Sequence, residues 1–305
     1  NHVSAHANFF PMALGLVPAD RVAPVMTYLK TRKMPCSVYG AQYLLEALFE
    51  GGEEDHAIRL MADRSTSYDR HWWNMIAKGS TIAMEAWGNN YKSNQDWNHA
   101  WGAAPANILP RFVMGLKPLA PGFGQAEIKP QPGTGDGISG LTAISGTIPT
   151  IRGPVTIDVE NSPTVFKLRF NTPGNMISRV LIPTKGFANP ALLVDGQVVA
   201  APVEDGRLVL ENVAAGEHAV WLSDTAFPTA EVLMENWRVA MFGDDASNPA
   251  VAGDSADPDQ DGFVNAVEFL NGTDPLSPDA NPDLDGDGLA DAWEIDHFGN
   301  LTAED

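Results

Sequence analysis

The apolar positions of residues 1–115 recur at helical spacing. In segment 37–50, SVYGAQYLLEALFE, Val38, Ala41, Leu44, Leu45, Leu48 and Phe49 fall on one stripe, which predicts a helix buried along one side. Gly51-Gly52 ends it. EEDHAIRLMADR then opens another helix with acidic residues in its first turn, where they face the positive end of the helix dipole. Upstream, ADRVAPVMTYLKTR reads as a further helix with Asp20 as its N-cap. A last helix is expected over 98–114, bent or interrupted at Pro105 and Pro110. Short connections between such helices predict antiparallel helical hairpins.

At Gly115 the period changes from helical to alternating. Between Leu116 and Leu222 lie short runs such as GPVTIDVE, VFKLRF, SRVLIP, ALLVDG and HAVWL, rich in β-branched and aromatic residues. Asp195-Gly196 and Asp205-Gly206 sit between runs as hairpin turns. The prediction is an all-β domain over 116–223, built as a sandwich.

The remaining residues, 224–305, form a linker and an acidic tail with an internal repeat. DPDQDGFVNAVE at 257–268 returns as DLDGDGLADAWE at 283–294, a shift of 26 residues, and WRVAMFG at 237–243 is echoed by WEIDHFG at 293–299. Both dodecads fit D-x-D-x-D-G-x-x-[DN]-x-x-E, the spacing of a calcium loop. In the first, Asp257, Asp259 and Asp261 supply carboxylate oxygens and Gly262 makes the turn. Phe263 offers its carbonyl, Asn265 takes the ninth position, and Glu268 closes the sphere. In the second, the same roles fall to Asp283, Asp285, Asp287, Gly288, Leu289, Asp291 and Glu294. The plain alternative is an acidic disordered tail, but random acidity would not place both glycines and both glutamates. Pro258, Pro275, Pro278 and Pro282 speak against helices ahead of the loops, and so against paired helix–loop–helix sensors. The repeats resemble the thrombospondin type 3-like and dockerin-like calcium repeats of secreted bacterial proteins.

Charge sharpens this division. The net charge is −20, yet from residue 224 onward there are 20 acidic residues against one basic residue, Arg238, so the body is nearly neutral. Such a tail repels nucleic acid and anionic membranes, and favours divalent cations or simple solubility. No apolar run approaches the ~20 residues of a membrane span. The single cysteine, Cys36, excludes an internal disulfide and reads as a small buried residue. The chain opens on NHVSAHANFF, neither an initiator methionine nor a signal peptide, and stops before a third loop. We therefore expect a piece truncated at both ends.

The candidate chemistry lies in Gly79–Gly102, GSTIAMEAWGNNYKSNQDWNHAWG. One carboxylate, Glu85, stands among Ile82, Ala83, Met84, Ala86 and Trp87, and Asn98 and His99 follow between Trp97 and Trp101. A carboxylate can move protons, polar side chains can bind hydroxyls, and indoles can stack on the apolar faces of a sugar. The aromatic surroundings are expected to raise the pKa of Glu85 towards neutrality. Each residue also has a plainer reading. Glu85 could be a helix-surface carboxylate, His99 a core histidine bonded to a backbone carbonyl, and Trp87, Trp97 and Trp101 ordinary core. Of Trp72 and Trp73, only one can face a sugar.

Five segments carry a family resemblance. HANFFPMALGLVP (6–18), CSVYGAQYLLEAL (36–48), GSTIAMEAW (79–87), DWNHAWGAAP (96–105) and GLKPLAPGFGQAEIKPQPG (115–133) resemble bacterial α-L-rhamnosidases of glycoside hydrolase family 78. The resemblance spans about residues 1–223. It implies the end of an (α/α)6 catalytic barrel over 1–115, a C-terminal β-domain over 116–223, and inverting hydrolysis of rhamnose-containing glycans. It also implies that Glu85 is the general base, that His99 lines the sugar pocket and that one of Trp72 and Trp73 lies near it; Asn98, Trp87, Trp73 and Trp101 are the further residues expected to bind the sugar. The family's general acid belongs to an Asp-Glu-Arg-type motif earlier in the barrel, and nothing in this chain matches it.

The expected architecture is therefore multidomain, α then β: a partial (α/α)6 barrel, a β-sandwich and a calcium-loop tail. The expected cofactor is structural Ca2+ in the tail, with none for catalysis. Loops suited to millimolar calcium imply a secreted, cell-surface or periplasmic bacterial protein whose tail attaches to a surface or to another protein. Two other functions fit the same residues: a glycosidase of different sugar specificity, and a calcium-stabilised carbohydrate-binding or adhesion protein without catalysis.

Overall fold

The stripe on 37–50 becomes the centre of the helical part. α3 (Val38–Glu50) has Val38, Ala41, Leu44, Leu45, Leu48 and Phe49 all at 1% exposure or less. The Ser37 hydroxyl caps its N-terminus by accepting from the Gly40 N–H at 3.2 Å, and the chain leaves it at Gly51, with Gly52 at φ +73°. Around it lie α1 (His6–Ala13), α2 (Ala19–Lys30), α4 (Glu54–Met61), α5 (Trp72–Ala77) and α6 (Ala104–Ile108). They bury one cluster that includes Phe9, Leu29, Leu45, Phe49, Met84, Trp87 and Phe112.

Two details differ from the sequence reading. Asp20 is not the N-cap of α2; that position is Pro18, and Asp20 sits exposed in the first turn, where it acts through the helix dipole alone. The helix expected over 98–114 is three pieces. A 3-10 turn at Ala100–Gly102 precedes α6, and a π-helical turn at Leu109–Val113 follows it, with Pro105 and Pro110 each near the start of a piece. A proline donates no hydrogen bond and crowds the preceding turn, so each new piece starts where a proline is tolerated.

The β part follows directly. Sheet one has the order β1-β2-β6-β10-β9: β1 (Leu116–Pro118), β2 (Gln125–Ile128), β6 (Ile177–Pro183), β10 (Arg207–Val213) and β9 (Val203–Glu204). Sheet two has the order β3-β4-β5-β11-β7-β8: β3 (Ala143–Thr150), β4 (Gly153–Asn161), β5 (Val165–Thr172), β11 (Gly216–Ser223), β7 (Ala191–Val194) and β8 (Gln197–Val198). Every pairing is antiparallel except β2 with β6. Alternate residues Val155, Ile157 and Val159 of β4 and Phe166, Leu168 and Phe170 of β5 enter one core with Ile128, Val180 and Ile182 of the other sheet. This is the sandwich that period-two alternation predicts. Both predicted turns join adjacent strands with two positive φ values, +48° and +75° at Asp195-Gly196 and +46° and +73° at Asp205-Gly206.

Gly115 joins the helical and β parts. Its φ is +83°, and a Cβ there would lie 2.0 Å from the Lys129 carbonyl oxygen, so no side chain fits. The junction is further tied by Gln131 Nε2 donating to the Phe49 carbonyl at 3.0 Å and Lys117 pairing with Glu50 at 2.8 Å.

The computed structural model describes residues 3–137, 140–188, 190–224, 230–271 and 273–278. The chain divides into two compact units, Asn1–Phe227 and Pro228–Asp305. The second unit holds α7 (Ala230–Phe242), the four-residue α8 (Pro249–Ala252) and α9 (Asn265–Asn271), and the ring of Trp237 on α7 meets Phe242 and Phe269 edge-on at 5.7 Å each. No described helix is long and apolar enough to cross a membrane.

Candidate active site

Glu85 lies in irregular backbone between α5 and the 3-10 turn, so it is not a helix-surface carboxylate. The Glu85 N–H donates to the Asp96 carbonyl at 2.9 Å, and the His99 N–H donates to the Ala83 carbonyl at 2.9 Å. These two bonds lay 83–85 alongside 96–99 and close a loop over 86–95. The loop is braced from within by Gln95, which accepts from the Ala86 N–H at 3.0 Å and donates to Asn89 at 2.7 Å. His99, fourteen residues from Glu85 in sequence, is thereby brought next to it in space.

Polar groups surround the carboxylate. Lys92, from the loop, pairs with Oε1, and the Asp96 N–H donates to Oε2 at 3.1 Å. Glu85, Asp96 and His99 place carboxylate and imidazole atoms within 4.8 Å of one another. The Lys92 ammonium, helped by the Asp96 N–H, holds the Glu85 carboxyl below its ordinary pKa. The expected upward shift from aromatic neighbours is thus reversed, because a charged hydrogen bond outweighs the burial of a side chain that stays 11% exposed.

Trp101 is 45% exposed, meets the His99 ring at a tilt with ring centres 4.2 Å apart, and donates its indole N–H to the Glu85 backbone carbonyl at 3.3 Å. Tyr39 of α3 meets its other neighbourhood at 5.5 Å. Glu85, Trp87, Lys92 and Trp101 line a pocket of about 410 Å3 together with Arg70 and His6. Trp87 is 2% exposed and donates to the Cys36 carbonyl at 2.8 Å, so most of its indole is core. Cys36 is buried as expected, and burial pushes its thiol up to about 12.

The remaining candidates lie apart. Trp72 points inward, donating to the Gly102 carbonyl at 2.7 Å and meeting Trp87 edge-on at 5.1 Å. Trp73 is exposed beneath Arg64, in a depression that does not include Glu85. Asn98 and Trp97 are exposed and do not line the Glu85 pocket. A larger groove of about 1060 Å3 runs along the helical–β junction past Glu50, Glu53, Glu54 and Asp55, and holds none of the predicted site residues. Sequence reasoning missed Lys92, Asp96 and Arg70. Lys92 and Asp96 stand in a polar, aperiodic stretch, where only the hydrogen bonds between 83–85 and 96–99 reveal which side chains face Glu85, and Arg70 reaches the pocket from the chain before α5.

In the second unit, Asp257, Asp259 and Asp261 bring one carboxylate oxygen each within 4.8 Å of the others. Gln260 at φ +62° and Gly262 at φ +103° turn the backbone around them, and the Gly262 N–H donates to Asp257 at 3.1 Å. Asp259 Oδ2 is buried without a hydrogen-bond partner, and burial raises its pKa. Asn265 is buried at the start of α9, its amide donating to the Val251 and Gly253 carbonyls at 2.8 and 2.9 Å. Glu268, also buried, is not within 4.8 Å of all three aspartates, and Phe263 is 8% exposed. The second loop, Asp283, Asp285, Asp287, Leu289, Asp291 and Glu294, lies outside the described residues.

The comparisons with known proteins bear on the first unit. Residues 1–113 match the family model of the bacterial α-L-rhamnosidase 6-hairpin glycosidase domain, and residues 115–189 that of the bacterial α-L-rhamnosidase C-terminal domain. No curated protein matches. Among solved structures, α-L-rhamnosidase from Dictyoglumus thermophilum is similar at TM-score 0.63 and 20% identity, over 72% of this chain and 25% of that one. Streptomyces avermitilis α-L-rhamnosidase, solved with L-rhamnose, is similar at 0.58 and 22%, over 72% and 21%. The Aspergillus terreus enzyme gives 0.55 and 17%, over 71% and 23%. The chain thus spans a quarter or less of the length of these structures. Residues 1–189 match, in order and meeting near Gly115, the helical and C-terminal domain types of the bacterial α-L-rhamnosidases.

Proposed function

We propose that this chain is part of an inverting α-L-rhamnosidase in which Glu85 is the general base. The observation that carries the reading is Glu85 itself, a carboxylate kept ionised by Lys92 and the Asp96 N–H at the wall of a pocket shared with Trp101. An ionised carboxylate can take a proton from water, and an exposed indole offers a platform for the apolar face of a 6-deoxy sugar. Inversion needs a second carboxyl roughly 6.5–9.5 Å away to protonate the departing oxygen. No motif of this chain matches such an acid, and the chain spans a quarter or less of the rhamnosidase structures it resembles, so we expect these residues alone to be inactive.

In the same reading the loop at 257–268 binds Ca2+. Three converging carboxylates, one with a buried unpartnered oxygen, form the hard-oxygen donor set that calcium takes. The ion would neutralise their mutual repulsion and tie the turn to α9. Calcium of this kind suits a secreted, cell-surface or periplasmic location, with the tail attaching to a surface or to another protein.

Glu85→Gln in the full-length enzyme lowers turnover of an aryl α-L-rhamnoside by ~10²–10⁴. Near-wild-type turnover removes Glu85 from the base role. A panel of aryl glycosides checks the sugar.

A further inference from the structure

Resting on the reading of Glu85 as a glycosidase base, we infer that Arg70 recognises an anionic group, a carboxylate or a sulfate ester, on the sugar joined to the rhamnose. Arg70 precedes α5 and lines the Glu85 pocket. Its guanidinium lies 4.8 Å from the centre of the Tyr91 ring. Tyr91 is fixed in turn, since its hydroxyl donates to Asp69 at 2.5 Å and Asn90 donates to the same carboxylate at 2.9 Å. The cation lies over the Tyr91 ring, and its guanidinium is a planar fork of N–H donors, the shape that meets a carboxylate or sulfate through two parallel hydrogen bonds.

No described residue pairs with that fork. Among the described residues, no carboxylate oxygen lies within the 4.0 Å of an ion pair with Arg70, which lies over the Tyr91 ring instead. The other charged or titratable groups on the pocket are His6, Cys36, Glu85, Tyr91 and Lys92, and Lys92 already pairs with Glu85. Of the two permanent cations on the pocket, Lys92 has its carboxylate in Glu85 and Arg70 has no ion-pair partner among the described residues. Rhamnose is uncharged and calls only for hydroxyl partners. A half-buried guanidinium without a counter-charge is best satisfied by a neighbouring sugar that brings one.

The test measures kcat/KM of the full-length enzyme on α-L-rhamnosyl-glucuronate, on its methyl ester and on an α-L-rhamnosyl-glucose sulfate. Wild type prefers a charged substrate over the ester. Arg70→Met lowers the charged-to-ester ratio by about 10- to 100-fold, the worth of a charge-assisted hydrogen-bonded pair. Arg70→Lys, which keeps the charge and loses the fork, recovers part of it. The arm that collapses, carboxylate or sulfate, names the anion. An unchanged ratio in Arg70→Met, or no preference for either charged substrate in wild type, overturns the inference. Calorimetric affinities for the acid and the ester separate this from the base assignment. If Glu85→Gln leaves turnover intact the base assignment falls, while the affinity ratio still decides Arg70.

Discussion

At the scale of single residues, Lys92 sets the ionisation of Glu85. An opposite charge in hydrogen-bond contact favours the carboxylate, so the folded-state pKa of Glu85 lies below the ordinary glutamate value. A general base works when deprotonated, so the acid limb of the kcat/KM profile falls below the ordinary glutamate range. Lys92→Met removes the largest cause of the depression and moves that limb to higher pH, while Glu85→Gln abolishes it. A pH–rate profile of the full-length enzyme checks both, and a limb that stays in place in Lys92→Met assigns the titration to another group. The identity of Glu85 was legible in the sequence, as the lone acid of an apolar run. Its electrostatics were not, because Lys92 follows in a polar loop with no periodicity to orient it.

At the scale of elements, the stripe on α3 and the alternation on β4 and β5 were readable because burial on one face imposes a period. Ends and junctions obey local geometry instead. Asp20 shows this, as does the breaking of 98–114 into three helical pieces. Gly115 is the position where one residue decides a junction. Gly115→Ala meets both a left-handed φ and the Lys129 carbonyl, and is expected to cost more than ~1 kcal/mol. Gly196→Ala, also at positive φ but with open space around it, costs about 1 kcal/mol. Urea unfolding that follows the β-domain compares the two, and the Gly115 variant has the lower midpoint.

At the scale of the whole molecule, charge and fold divide the chain at the same place. The first unit is nearly neutral and packs two cores, and the second carries almost all of the net charge of −20. Acidic residues so dense repel one another unless a cation intervenes, and on the proposed reading that cation is calcium. For a loop with a Kd of ~0.1 mM in ~1 mM calcium, the gain is roughly 1.4 kcal/mol. Calorimetry on the full chain is expected to show calcium binding near two sites, and Asp259→Asn to remove one. Binding that leaves the Asp259→Asn variant unaffected would take the first loop out of the account.

The sequence by itself determined where helix gives way to sheet, which carboxylate is the lone acid of residues 79–95, and which acidic residues recur at loop spacing. Each of these is written in short-range period or spacing, so neighbours along the chain suffice. Only the tertiary structure decided what surrounds Glu85. The pairing of 83–85 with 96–99 brings His99 and Trp101 to it, folds Lys92 onto it, and sets Trp87 into the core and Trp73 outside the pocket. Those contacts join residues across loops, where no period constrains the backbone and packing alone chooses the direction of a side chain. Arg70 belongs to the same class, a charge whose meaning emerged once Tyr91 was found beneath it.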